Sequence, residues 1–284
     1  MRVTTLNILE MKQRGEKIPM VTAYDFPTAK LLEMAGIPII LVGDSLGQVV
    51  LGYESTVRVT MEEMLHHTKA VVRGTTNSLI VADMPFLTYQ TGTEEAVKNA
   101  GRFLQEGMAQ AVKLEGGLKT APAIKSIVAA GIPVMGHIGF TPQSVYQLGG
   151  YRVLGKTLES ANEILSDALA VEEAGAFAIV LELVPDLLAK FISSKLSIPT
   201  IGIGAGLHCD GQVQVLHDML GLIEDFTPKH AKQYALIAVS IRQAVESYIT
   251  EVQRQEFPTE KESFPLTPHI FSQLTRQDKP LEEE

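Results

Sequence analysis

Eight short apolar runs alternate with longer amphipathic stretches along this chain of 284 residues. The runs are rich in Val, Ile and Leu, and we interpret them as strands at 18–25, 37–44, 79–85, 109–116, 132–139, 176–184, 198–204 and 212–217. Several follow a Gly with an Ile-Pro dipeptide, as in EMAGIPIILVGD and VAAGIPVMGHIG. Gly tolerates the left-handed conformation that ends a helix, and Pro can open a strand, so each such site marks a helix-to-strand junction.

The stretches between these runs have helical periodicity, for example at 93–107, 121–131 and 161–175. Alternating strands and helices, with strands that are apolar almost throughout, are typical of a parallel sheet covered by helices. Eight such units predict an α/β fold, a closed (β/α)8 TIM-type barrel with an N-terminal helix and a C-terminal helical extension. An open, doubly wound sheet is the alternative.

The predicted domain organisation has two parts. Residues 1–256 are expected to form a single barrel domain with its terminal helices. Residues 257–284 contain four prolines and a closing acidic run, and we expect an extended or disordered tail there.

Composition narrows the classes of partner. A net charge of −9 without basic clusters argues against nucleic acid and against an anionic membrane surface. The first residues contain no apolar stretch of signal-peptide length, and no segment approaches the roughly 18–20 apolar residues of a membrane helix. The single cysteine, Cys209, excludes an internal disulfide and a cysteine-rich zinc site. We therefore expect a cytoplasmic protein that acts on small molecules.

Five of the apolar runs end on a carboxylate: Asp25, Asp44, Asp83, Glu115 and Glu182. In a barrel, functional groups lie at the C-terminal ends of the strands, so these acids should converge on one rim. Asp25 precedes Phe26-Pro27 and a predicted helix, and we expect it to cap that helix.

Asp44, Asp83 and Glu115 close three successive strands. Carboxylates about 5 Å apart repel by roughly 3 kcal/mol per pair at an effective dielectric constant near 20, which favours shared protons or a bound cation. Oxygen ligands favour Mg²⁺. The alternative is that each acid caps the helix that follows it, which is the commoner role for any single aspartate at such a turn.

Three further side chains are candidates for chemistry. Lys113 and Glu115 are two residues apart on one strand and share its inward face, either as a structural ion pair or as part of a site. His137 lies between glycines near the end of its strand, where it has room to meet a ligand. Glu182, farther around the barrel, is the candidate general base, or else a turn acid before Pro185.

These residues together suit metal-dependent enolate chemistry. A cation would polarise the carbonyl of a 2-oxo acid, and a carboxylate would remove the adjacent C–H proton. The enolate would then attack an electrophile.

Several long segments carry a family resemblance: MVTAYDFPTAKLLEMAG, ILVGDSLGQVVLGYESTVRVTMEEMLHHTKAV, VADMPF, AVKLEGG, PVMGHIGFTPQSVYQLGGY, AGAFAIVLELVP and IPTIGIGAGLHCDGQVQVLHD. They resemble the ketopantoate hydroxymethyltransferase family, and the similarity runs from about Thr5 to Phe264. The resemblance implies transfer of a hydroxymethyl group from 5,10-methylenetetrahydrofolate to 3-methyl-2-oxobutanoate. The product would be 2-dehydropantoate, on the route to pantothenate and coenzyme A.

The resemblance also implies roles for individual residues. It assigns Mg²⁺ to Asp44, Asp83 and Glu115, and proton abstraction to Glu182. The implied substrate-binding residues are Asp44, Ser45, Asp83, Lys113 and His137. It implies cytoplasmic homo-oligomers, commonly homodecamers. Two features depart from the family pattern: Leu183 stands where many members have Cys, and the tail continues beyond the usual end after Phe264.

Three other functions remain open on the sequence. The first is a Mg²⁺-dependent carbon–carbon lyase of the phosphoenolpyruvate mutase and isocitrate lyase group, although those lyases typically carry a loop cysteine and Cys209 lies elsewhere. The second is an aldolase that forms a Schiff base through Lys113. The third is a barrel that binds a small molecule without catalysis.

Overall fold

The computed structural model describes residues 2–277, and within them eight parallel strands close into a barrel. The strands follow one another around the barrel in chain order, and the last pairs with the first. They are β1 Ile18–Thr22, β2 Ile39–Val42, β3 Leu79–Asp83, β4 Ala111–Glu115, β5 Val134–Gly139, β6 Ala178–Glu182, β7 Thr200–Ile203 and β8 Gly211–Gln214. A strand lies within or overlaps each of the eight predicted runs, and the open sheet is excluded. The eighth predicted run, 212–217, ends inside a helix, because Leu216–Met219 is helical.

Helices connect the strands and cover the barrel. They are α1 Thr5–Gln13, α2 Phe26–Met34, α3 Leu46–Val49, α4 Met61–Arg73, α5 Thr93–Gln105, α6 Ala121–Ala129, α7 Val145–Leu148, α8 Leu158–Glu173, α9 Asp186–Lys195 and α10 Leu216–Met219. The start of α4 shows how local sequence sets a boundary, because Thr60 and Glu63 cap each other's backbone N–H groups. The predicted (β/α)8 fold is therefore confirmed.

Strand residues alternate between two separate cores. Ile39 and Leu41 of β2 face the barrel interior, whereas Ile40 and Val42 face the layer of helices. Ile8 of α1 packs in the interior core, and Val3 N donates to Asn77 O just before β3. The N-terminal helix thus closes the N-terminal end of the barrel, leaving the opposite end for a site.

The chain divides into two compact units, Met1–Ala235 and Leu236–Glu284. Residues 220–236 contain no helix or strand, so the boundary falls earlier than the predicted one after residue 256. The second unit contains α11 Ile237–Gln253 and α12 Pro268–Gln277. The helix α12 differs from the predicted extended or disordered tail, since Pro suits a first helical position and the apolar residues that follow recur at helical spacing.

Residues 278–284 of the predicted tail lie outside the described residues. Between residues 2 and 277, none of the helices is long and apolar enough to cross a membrane.

Candidate active site

The barrel interior changes from apolar to polar toward the C-terminal ends of the strands. On the four neighbouring strands β3 to β6, an inward-facing apolar residue is followed two positions later by an inward-facing polar or charged one. The pairs are Val81 and Asp83, Ala111 and Lys113, Met135 and His137, and Val180 and Glu182. Glu115 continues the row on β4, and Leu114 between Lys113 and Glu115 packs in the other core. The predicted inward face of Lys113 and Glu115 is therefore confirmed.

These groups line one cavity of about 510 Å³ at the C-terminal end of the barrel. Its volume lies in the usual range for small-molecule sites. Leu41 and Val180 contribute apolar surface below the polar groups. All seven predicted site residues line it: Asp44, Ser45, Asp83, Lys113, Glu115, His137 and Glu182.

Lys113 is the buried cation of this cavity. Its ammonium lies 2.9 Å from Asp83 Oδ1 and 3.1 Å from His137 Nδ1. Burial by itself lowers the pKa of Lys113, but the charges of Asp83, Glu115 and Asp44 outweigh it and hold the pKa above its ordinary value. Lys113 is therefore charged at neutral pH.

The three acids of β2 to β4 carry more negative charge than one lysine can neutralise. Burial, and then the charge of Asp83, raise the pKa of Asp44 to about 7. Burial likewise raises the pKa of Asp83 and Glu115, although Lys113 opposes it. Asp44 N donates to Asp83 Oδ2 at 3.0 Å, which ties the end of β2 to the end of β3.

Gln143, in the short 3₁₀ turn after β5, joins two of these acids and was not among the predicted residues. Its Nε2 donates to Asp44 Oδ2 at 2.9 Å, and its backbone N–H donates to Glu115 Oε2 at 2.9 Å. No sequence pattern pointed to it, because a glutamine in a loop is usually exposed and this one is buried only through barrel closure.

His137 separates the acidic cluster from Glu182. Burial and the charge of Lys113 hold the pKa of His137 well below its ordinary value, so the ring is neutral. Because Lys113 donates to Nδ1, the ring proton lies on Nε2. That atom is 3.1 Å from Glu182 Oε2, although the two groups are not aligned for a hydrogen bond.

Glu182 lacks the aligned hydrogen-bond donors that Asp44, Asp83 and Glu115 have. Burial raises its pKa to about 8, against the opposing charge of Lys113. Gly139, paired with Glu182 across β5 and β6, has φ +88°, and a Cβ there would collide with the Glu182 carbonyl oxygen. Because His137 lies 3.6 Å from Glu115 and 3.1 Å from Glu182, its ring stands between Glu182 and the acidic cluster.

Two further candidates, Asp25 and Ser45, are held by local hydrogen bonds. Asp25 Oδ1 accepts from Thr28 N at 2.8 Å and caps α2, as predicted. Ser45 Oγ is 2.8 Å from Tyr24 Oη, which orients it at the cavity wall.

The acids fit a hard divalent cation by their chemistry. An oxygen-only set with excess negative charge is what Mg²⁺ prefers. Among residues 2–277, no three His, Cys, Asp or Glu side chains are arranged to hold a metal ion by themselves. Since Mg²⁺ is commonly held by one or two carboxylates and water, Asp44, Asp83 and Glu115 form a set from which one or two would bind directly.

The fold and the cavity define a (β/α)8-barrel enzyme with a buried acid, lysine and histidine site. A family model described as ketopantoate hydroxymethyltransferase matches residues 2–260. The chain therefore belongs to the ketopantoate hydroxymethyltransferase family, whose enzymes are transferases of pantothenate biosynthesis.

Curated relatives agree with this assignment. A protein of Dehalococcoides mccartyi, named 3-methyl-2-oxobutanoate hydroxymethyltransferase, is 61% identical over 276 residues, covering 97% of this chain and 98% of the relative. A protein of Chloroflexus aurantiacus with the same name is 58% identical over 283 residues, covering 99% of this chain and 100% of the relative. The second alignment includes most of the tail that follows Phe264.

Solved structures confirm the fold alone. Phosphonopyruvate hydrolase in complex with oxalate and Mg²⁺ has a TM-score of 0.60 at 15% identity, covering 98% of this chain and 96% of that one. A 2,3-dimethylmalate lyase of the phosphoenolpyruvate mutase and isocitrate lyase superfamily has a TM-score of 0.59 at 16% identity, with the same coverage.

Proposed function

We propose that this enzyme transfers a hydroxymethyl group from 5,10-methylenetetrahydrofolate to 3-methyl-2-oxobutanoate and forms 2-dehydropantoate. C3 of the oxo acid loses a proton and gains the one-carbon unit, water supplies the hydroxyl oxygen, and tetrahydrofolate leaves. One observation supports the proposal in addition to the family assignment. Glu182, a carboxylate with a raised pKa and no aligned hydrogen-bond donor, lines the same cavity as a buried lysine and three acids.

Lys113 and its neighbours are suited to bind the oxo acid. Lys113 donates to His137 Nδ1 and forms an ion pair with Asp83 Oδ1, and its ammonium has three donors, so at least one is available to the substrate carboxylate. Ser45 and the neutral His137 offer further polar contacts along the same wall. Asp44 and Asp83 complete the proposed substrate-binding set at the end of β2 and β3.

Mg²⁺, held by carboxylates from Asp44, Asp83 and Glu115, would supply Lewis-acid stabilisation of the charge that develops on the substrate carbonyl oxygen. Glu182 is the proposed proton acceptor at C3. Its raised pKa makes its anion a stronger base than an exposed glutamate. The apolar surface of Leu41 and Val180 keeps that carboxylate partly away from water.

Solvent exchange at C3 tests this assignment. In deuterated water, ¹H NMR should show loss of the C3 proton signal of 3-methyl-2-oxobutanoate with wild-type enzyme and Mg²⁺. Glu182→Gln should slow exchange by roughly 100- to 10,000-fold, the usual contribution of a general base. The matched control is Asp25→Asn, another strand-end acid, which should exchange like wild type because Asn also caps helices.

Unchanged exchange in Glu182→Gln would eliminate the base assignment. Exchange without formation of 2-dehydropantoate when 5,10-methylenetetrahydrofolate is supplied would favour the lyase alternative. Borohydride trapping of substrate on Lys113 would favour the Schiff-base aldolase. No exchange by wild type with Mg²⁺ would favour a non-catalytic binding barrel.

The assembly is also a proposal. We propose a cytoplasmic homo-oligomer, with a homodecamer as the expected size. Light scattering coupled to size-exclusion chromatography would measure its mass directly, and a monomeric mass at micromolar concentration would contradict it.

A further inference from the structure

Gln143 is a polar side chain buried at the junction of several loops. Only 5% of its surface is exposed, and it lies in the turn Pro142–Ser144 after β5. A buried amide without partners is costly, so its hydrogen bonds must account for its place here. The hydrogen bonds of its side-chain amide and of its backbone N–H all go to residues of the acidic cluster or next to it.

The amide nitrogen and the backbone N–H of Gln143 hold different acids. Nε2 donates to Asp44 Oδ2 at 2.9 Å and to the carbonyl oxygen of Met84 at 2.9 Å. The backbone N–H donates to Glu115 Oε2 at 2.9 Å. A single residue therefore connects the acids that follow β2 and end β4, and also contacts the backbone after β3.

The orientation of the amide is fixed by Tyr89, a buried residue of the loop after β3. Tyr89 Oη accepts from Glu115 N at 3.2 Å and donates to Gln143 Oε1 at 2.6 Å. Rotating the amide would place its oxygen against the Asp44 carboxylate and the Met84 carbonyl, which repel it. Tyr89 and the two acceptors thus require the same orientation.

We propose that Gln143 is a positioning residue that sets the spacing of Asp44 and Glu115, with Tyr89 fixing its amide. Neither residue is among those that line the cavity. The inference rests on the proposed function in one respect, because the spacing matters for the cation that these acids would bind. Partners that orient metal ligands typically change metal affinity or activity about 10- to 100-fold when substituted.

The test compares Gln143→Met, which keeps the length of the side chain and removes the amide, with wild type. Mg²⁺ affinity is measured by titration calorimetry without substrate, and thermal unfolding shows that the variant is folded. We expect affinity to fall about 10- to 100-fold. High Mg²⁺ should restore C3 exchange in Gln143→Met but not in Glu182→Gln, a rescue that a merely structural role would not produce.

Two further variants locate the effect. Tyr89→Phe keeps the ring and removes the hydroxyl, so it should weaken Mg²⁺ binding less than Gln143→Met does. The double variant should lose less than the product of the two single effects, because both substitutions break one network. The matched control is Gln90→Met, since exposed Gln90 reaches Gln143 Oε1 only at 3.5 Å and should bind Mg²⁺ like wild type.

A folded Gln143→Met protein with wild-type Mg²⁺ affinity would overturn the proposal. If wild type itself binds no Mg²⁺, the metal of the proposed function is lost, and crystal structures then decide the positioning role. An increased separation of the Asp44 and Glu115 carboxylates in Gln143→Met would support that role, and an unchanged separation would overturn it.

Discussion

The two sides of the cavity hold their carboxylates in different ways. On the side of β2 to β4, Asp44, Asp83 and Glu115 each accept a hydrogen bond from a backbone N–H or from the Gln143 amide, and Lys113 lies among them. On the side of β6, Glu182 has a neutral imidazole at 3.1 Å without an aligned hydrogen bond.

This difference separates two uses of the same functional group. Hydrogen-bond donors fix a carboxylate in place and favour its charged form, which suits a residue that holds a ligand. A carboxylate that is buried without such donors keeps a high affinity for protons, which suits a base. Burial raises the pKa of Glu182 to about 8, and the charge of Lys113 opposes that rise.

The largest expected effect on Mg²⁺ affinity comes from a substitution on the side of β2 to β4. Asp83→Asn removes the charge that lies 2.9 Å from Lys113 and one proposed Mg²⁺ ligand. We expect Mg²⁺ affinity, measured by titration calorimetry, to fall by roughly 100-fold or more, at or beyond the upper end of the range for residues that only orient a ligand.

Asp210→Asn is the matched control for that change. Asp210 also pairs with a lysine, since its Oδ2 lies 3.0 Å from Lys12 Nζ, but it does not line the cavity. Its substitution should leave Mg²⁺ affinity unchanged. Wild-type affinity in Asp83→Asn would count against Asp83 as a ligand.

The pH dependence of C3 exchange tests the role of Glu182, on the β6 side of the cavity. A base acts only when deprotonated, so kcat/KM should fall about tenfold per unit as the pH drops below the pKa of Glu182. Burial raises that pKa to about 8, whereas bound Mg²⁺ would lower it. We therefore expect the acid limb between about 4.3, the ordinary glutamate value, and about 8.

The temperature dependence of this limb distinguishes a carboxyl group from the His137 imidazole as its source. Carboxyl ionisation has a small enthalpy, so a limb due to Glu182 should hardly move with temperature. A limb due to His137 would move clearly, because imidazole ionisation has a large enthalpy. An acid limb at or below the ordinary glutamate pKa would contradict a raised pKa for Glu182.

The sequence predicted this architecture because two regular patterns encode it. One is the alternation of apolar runs with amphipathic helical stretches, and the other is the alternation of side chains within each strand. Strand alternation with a period of two placed Lys113 and Glu115 on one inward face, and the structure confirms it. Glu182 was predicted farther around the barrel, and it does end β6, but the sequence did not predict that His137 on the adjacent β5 would lie 3.1 Å from it. Counting strands predicts their order around the barrel, but it does not predict the distances between side chains on neighbouring strands.

Gln143 shows what no local pattern could predict. It lies 99 residues from Asp44 along the chain, and the two meet only when the barrel closes. Loop residues carry no periodic signal, so burial of this amide depends on how loops after four strands pack together. The metal assignment likewise stays a prediction, since a cluster of acids predicts the ligand type and not the bound ion.

The smallest expected effect concerns Asp25, the strand-end acid outside both sides of the cavity. Asp25→Ala removes the bond from Thr28 N that caps α2, and caps of this kind contribute about 1 kcal/mol. Urea unfolding should therefore show a loss of about 1 kcal/mol, while C3 exchange and Mg²⁺ affinity stay at wild-type values. A loss of exchange in a folded Asp25→Ala protein would show that C3 exchange depends on the α2 cap as well as on the inward-facing residues of the cavity.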